Sequence, residues 1–262
     1  MLSKNFISNH PITLFFALFI CYSCAKENLE HDKFITSLRA EVMIKELLPN
    51  SIISRSRVQG QFLIRYFFSA DSIYYWLDVG VQKNAEDAAR KVSLILNDIS
   101  AVYNEGYHNG NIIGDKFWWD TTIDTSVLSG IIFIRYNTLF YLGCFPETNK
   151  LEQFASNIDK AILSSAKFLT IESRLVQPEI DSVKATDDTL KMGESNTITV
   201  YAHDPRKAKL FYSAFLSHKA DSIFIFKAMP SYGYGTHYYS FSVINEFNVV
   251  SDEKSIGITV VE

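Results

Sequence analysis

The stretch GDKFWWD, residues 114–120, is the most distinctive short stretch in the chain for possible chemistry. Asp115, Trp118, Trp119 and Asp120 would make an aromatic ligand platform with acids beside it, a combination suited to sugar binding. The same letters also read as a turn at Gly114 and Asp115 leading into a strand whose rings fill a core. A second candidate is SYGYGTHYY, residues 231–239. Glycines between tyrosines make a mobile, amphipathic loop of the kind used in recognition. Tyr232, Tyr234 and His237 are its candidate ligand contacts, and an ordinary loop is the other reading. Arg65 in LIRYFF and Arg135 in FIRYNT sit among apolar neighbours. Each could form a buried pair or an anion site. Strand alternation gives a simpler expectation, with both on the solvent face.

Signs of catalysis or metal binding are sparse. The 6 histidines are scattered and none forms HExxH. GxSxG, the Walker A loop and GxGxxG are absent. Asp204 in AHDP, with Asp187 and Asp188, could ligate calcium but lacks EF-hand spacing. A glycosidase needs carboxylates paired in space, not in sequence, so a glycan hydrolase near Trp118 and Trp119 stays an alternative. No catalytic residue, metal or cofactor is expected from these patterns.

The elements that must carry these residues begin with a leader. Lys4 gives a positive start, and residues 11–22 are apolar and uncharged. As a helix that run is roughly 18 Å long, well short of the ~30 Å hydrocarbon core. It suits the apolar region of a signal peptide, residues 1–23. Ser23 precedes Cys24, and AKEN follows it. This resembles the lipobox of bacterial lipoproteins, and the segment after the cysteine is similar to the start of Bacteroidetes-type lipoproteins. Ile20 is too large to precede a lipidated Cys21. The resemblance therefore implies lipidation at Cys24, a tether over residues 24–32 and a place at the cell envelope, outer membrane or surface before inner membrane. An ordinary cleaved signal or a short anchor helix is the other reading. Only Cys144 then remains, in FYLGCF, as a reactive thiol or a small buried hydrophobe.

Loss of Lys4 with the leader moves the formal net charge from −4 to −5, which argues against a nucleic-acid partner. Residues 33–175 read as an α+β domain. Phe34, Leu38, Val42 and Leu47 recur at helical spacing, and NSIISRSRVQG is a polar break. QFLIRYFF and SIYYWLDVGV follow as strands about a turn at Ala70 and Asp71. A helix is expected over 85–103 and another over 150–168, with GIIFIRYNTLFYLGC bent near Asn137 between them. Residues 72–92 align with 138–158 at a constant offset of 66. That alignment suggests a duplicated strand-strand-helix unit, with an antiparallel sheet and helices on one face.

Residues 176–262 change character. Short alternating strands and turn signals recur at the spacing of a β-sandwich. TLKMGESNTITVYAHDP, YYSFSVINEFNVVSDE and IGITVV resemble Ig-like or PKD-like domains of bacterial surface proteins. The anchor, this module and the tyrosine-rich loop together imply non-enzymatic binding of a protein or glycan partner at the cell surface. A structural subunit of an envelope assembly is a further alternative.

Overall fold

The run GIIFIRYNTLFYLGC folds back at Tyr136 and Asn137 into β7 (Leu128–Arg135) and β8 (Thr138–Thr148). LIRYFFSA and IYYWLDVGV form β3 (Leu63–Ala70) and β4 (Ile73–Val81) in the same way. The structure is a computed structural model that describes residues 34–58, 63–70, 72–98, 102–121, 128–148, 150–164, 167–172, 174–214 and 216–262. The expected leader, Cys24 and the tether lie outside the described residues. Among the described residues, no helix is long and apolar enough to cross a membrane.

The two hairpins join through an antiparallel β4–β8 seam. With β2 (Ile53–Val58), β5 (Tyr103–Glu105) and β6 (Lys116–Thr121) they form a seven-stranded sheet of order β2-β3-β4-β8-β7-β6-β5. The polar break of the sequence thus contains an edge strand. ISRSRV reads as polar, yet an edge strand needs a partner on only one side.

Among the described residues three helices cover the sheet: α1 (Ala40–Leu47), α2 (Ala85–Asp98) and α3 (Lys150–Ser164). Residues Phe34–Leu38, expected to begin a helix, form strand β1, paired with β9 (Leu169–Glu172). That partner lies more than 130 positions away, so local spacing could not reveal it. Side chains alternate between the faces of a strand. Ile131 and Phe133 join the core under α3, with Met43 and Ile44 of α1. Ile132 and Ile134 join a second core with Ala88, Val92 and Ile95 of α2.

The helices therefore lie on both faces, which corrects the expectation of one face. The register explains why. Leu77 lies opposite Leu142, and Trp76 opposite Gly143. The offset of 66 equates Leu77 with Gly143, whose cross-strand partner Trp76 points to the other face. Equivalent residues thus face opposite ways, and helices of matched phase leave toward opposite sides. A duplication about a two-fold axis through the seam would place both helices on one side. The two strand-strand-helix units are not related by such a rotation.

Residues 174–178, outside helix and strand, lead into eight further strands among the described residues: β10 (Glu179–Ala185), β11 (Thr189–Lys191), β12 (Ser195–His203), β13 (Leu210–Ser213), β14 (Ser217–Ala220), β15 (Ile223–Lys227), β16 (Gly235–Asn245) and β17 (Lys254–Val261). They form two sheets, β10-β12-β15-β14 and β11-β17-β16-β13. Inward residues of both, among them Ile198, Phe224, Phe241 and Ile258, share one core. This is a β-sandwich, and its strand order is consistent with the Ig-like expectation.

The sandwich is docked, not strung out. The end of β16 and its connection to β17 enter the first unit, where Ile244, Val249 and Val250 join the core under α3. Leu38 N donates to Phe247 O at 3.0 Å, Val81 N to Asn248 O at 2.7 Å and Val250 N to Val81 O at 3.0 Å. Past residue 175 the sandwich keeps a core of its own, while Ile244, Val249 and Val250 belong to the core of the first unit.

Candidate functional site

The two tryptophans of GDKFWWD do not form a joint platform. They are consecutive on β6, so they point to opposite faces. Trp118 is 8 % exposed and packs under α2. Trp119 packs against the α3-side core, its ring 4.5 Å from the His108 ring, and His108 Nδ1 lies 2.9 Å from Glu152 Oε2. Asp115 is committed elsewhere. Its Oδ1 accepts from Arg135 Nη1 and its Oδ2 from the Tyr136 amide, both at 2.5 Å. The packing alternative is what the structure shows for this stretch.

Neither strand arginine stands alone on a solvent face. Arg135 forks onto Asp159 of α3, with both bonds at 2.7 Å, and that hydrogen-bonded pairing holds its pKa above the ordinary value. Arg65 forks onto Asp78 with two bonds of 2.6 Å. Burial works against the Arg65 charge, but its bond to Asp78 and that residue's charge outweigh it and raise the pKa. Burial pushes Asp78 up to about 6 even against the opposing pull of Arg65. The reason for the correction is the hairpin register, which sets Arg65 directly across from Asp78. A bidentate pair satisfies both charges where alternation alone would send them to water.

Arg65 and Asp78 open a polar belt across the α2 side of the sheet. The guanidinium lies 5.9 Å from the ring centres of both Phe67 and Trp76. Farther along, Tyr103 and Tyr141 bring their hydroxyls to 3.5 Å, and Ser129 donates to Asp120 at 2.5 Å. Burial raises the pKa of both tyrosines. The Trp76 indole crosses Gly143, where a Cβ would sit 1.9 Å from its Cζ2. Sequence reading missed this belt. Its signal was present, since a hairpin turning at residues 70–73 pairs Arg65 with the lone carboxylate of YYWLDVGV.

The tyrosine-rich loop lies at the sandwich end remote from the docked connection. A 3-10 turn, Pro230–Tyr232, brings Tyr232 to 6.0 Å from His237, ring centre to ring centre. Both stand around the buried Phe226, at 5.8 and 6.4 Å, with Tyr239 at 4.9 Å. Burial lifts the Tyr239 hydroxyl to about 12. His237 Nε2 lies 3.3 Å from the Gly233 carbonyl. Tyr234 is 62 % exposed and Tyr238, which the sequence did not single out, 77 %. The structure thus brings Tyr232 and His237 together and leaves Tyr234 open to solvent.

Other candidates fall into packing roles. Cys144 is buried in the α3-side core. Asp204 caps its own turn, accepting from the Arg206 amide at 2.7 Å, and takes the Asn245 amide at 2.7 Å. No group of three or more His, Cys, Asp or Glu suited to a metal occurs among the described residues.

No family model matches the chain, and no curated protein matches it. Among solved structures it is similar to the fibronectin(III)-like modules of Clostridium thermocellum CbhA, at 14 % identity and a TM-score of 0.25. That likeness covers 61 % of this chain and 94 % of the other, and at such a TM-score it carries no argument.

Proposed function

We propose that the chain is a non-enzymatic binding lipoprotein of the bacterial envelope. A lipid on Cys24 tethers it, and the aromatic end of an Ig-like sandwich recognises a protein or glycan partner. The observation that carries this reading is the position of that end. β16 runs from the exposed Gly235 to the buried Asn245, so its aromatic end stands roughly 34 Å from the docked one. β1 is the first described element, and its Leu38 bonds to Phe247 beside the docked end. A tether there would hold the aromatic end away from the lipid. Exposed tyrosines on a rigid scaffold give large contact area at low entropy cost.

The hydrolase alternative gains no support. Trp118 and Trp119 face opposite ways, and the belt carboxylates Asp78 and Asp120 lie three strands apart in the sheet order. That is roughly 14 Å across the sheet, beyond the spacing that glycosidases use.

Crosslinking of the native protein in intact cells tests the reading. A partner recovered with wild type should be lost with Tyr232→Ala/Tyr234→Ala. Equal recovery with both proteins would overturn it. Metabolic labelling with palmitate tests the anchor, which fails if Cys24→Ser still takes up label.

A further inference from the structure

The tip of the β3–β4 hairpin meets the loop after α1 around a cavity of about 380 Å³. Asn50, Ser51, Ser69, Ser72 and Tyr74 supply its polar lining, and Leu47, Leu48 and Pro49 an apolar wall. Among the described residues that line it, none carries a charge at neutral pH. Its size lies within the range of about 300–1,000 Å³ typical of small-ligand sites.

The chemistry of this lining is particular. An asparagine amide both donates and accepts, and so does each serine hydroxyl. Ser51 Oγ donates to the Leu48 carbonyl at 2.8 Å, which leaves its lone pairs as acceptors. Two cations lie close in the chain, and both are engaged. Lys45 Nζ donates to the Ser51 carbonyl, and Arg65 is held by Asp78. An anionic ligand would find no uncommitted charge in either.

Aromatic surface continues past the cavity. Tyr74 lies directly across from Phe145, and these are 66 % and 70 % exposed. Phe67, across from Trp76 one row further in, is also exposed. The other two described cavities differ in kind. One, beside residues 174–180, includes Arg174, Glu179, Asp252, Glu253 and Lys254, and the other includes Arg39, Glu41 and Glu246.

We propose that this end of the sheet binds a neutral oligosaccharide. One sugar occupies the cavity, its hydroxyls met by Asn50 and the serines. The next lies against Tyr74 and Phe145. A pyranose suits the site because it pairs an apolar face of C–H groups with a rim of uncharged hydroxyls. The site is separate from the sandwich tip, so the proposal stands or falls independently of partner capture there.

Isothermal titration of the full-length protein in detergent tests it. The probes are pentasaccharides of glucose, mannose, xylose and N-acetylglucosamine, with penta-galacturonate as the acidic control. At least one neutral probe should bind, and Tyr74→Ala should weaken it about tenfold, the scale of one lost hot-spot ring. Tyr201→Ala, which removes an exposed ring from β12 of the sandwich, should leave that affinity unchanged. Phe145→Ala serves as the second variant, and melting curves show that each variant is folded. Three results would overturn the proposal: no neutral probe bound at about 1 mM, tighter binding of the galacturonate, or affinity indifferent to both ring removals.

Discussion

Strand β16 has two ends with opposite surroundings. Over Gly235–Tyr239 exposed side chains dominate, whereas Phe241, Ser242, Val243, Ile244 and Asn245 are all buried. A sandwich strand facing water on one side should alternate along its length. The unbroken burial of the second half shows that its outer face is covered as well, and the first unit covers it. Two asparagines at that end have their side chains matched. Asn245 accepts from the amides of Phe247 and Val249, both at 3.0 Å, and Asn248 donates to the Leu38 carbonyl at 2.7 Å and accepts from Tyr66 at 3.0 Å. One strand thus serves stability at one end and leaves rings unspent at the other.

The sharpest way to break this comparison is Asn248→Ala. The substitution leaves the Leu38 carbonyl and the Tyr66 hydroxyl without these bonds, and both are buried. Asn248 also has φ +63°, a left-handed conformation that asparagine tolerates better than alanine. A loss of about 3 kcal/mol is expected from the two effects together. Urea denaturation followed by tryptophan fluorescence and far-ultraviolet dichroism would read it. Because the α3-side core takes in residues of both units, the two probes should move together in a single transition. Separate transitions, or a loss below about 1 kcal/mol, would mean that the docked end does not bind the units into one fold.

A smaller effect tests how far charge supports the docking. Lys91 of α2 bonds to Glu253 in the connection and is buried. Burial lowers its pKa against the opposing influence of Glu253. A lysine depressed in the folded state costs stability while it is charged. That cost disappears as pH rises from the folded pKa toward the unfolded value. Glu253→Gln removes the compensating charge, so it should cost about 2 kcal/mol at pH 7. The deficit should shrink as pH approaches 10. A deficit that stayed constant across that range would assign the contact to packing.

Much of this architecture was legible where local pattern governs. The strands LIRYFF and IYYWLDVGV, the bend near Asn137 and the helices after residues 84 and 149 follow from periods of 2 and 3.6. The extent of the helices was less so, since α2 ends at Asp98 and α3 at Ser164. What escaped depends on distant pairing. β1 needs β9, the helix faces need the β4–β8 register, and the docked connection needs the whole first unit in place. The site residues divide in the same manner. Tyr232, Tyr234 and His237 belong to one loop and could be found together. The cavity beside Tyr74 joins a helix end to a hairpin tip. Trp118 and Trp119 misled because adjacency in a strand means opposite faces.

The smallest expected change in stability is at the other end of β16. Tyr234→Ala removes a ring that is mostly in water, so unfolding free energy should change by no more than about 0.5 kcal/mol. The same substitution should weaken partner capture, because exposed rings on a rigid support carry contact energy out of proportion to their number. Joining the two measurements gives the test its force. If Tyr234→Ala destabilises the fold as much as Asn248→Ala does, the ring is packing that exposure fails to reveal. If it changes neither stability nor capture, recognition does not lie at this end. A change in capture alone would mean that β16 divides its two tasks between its two ends.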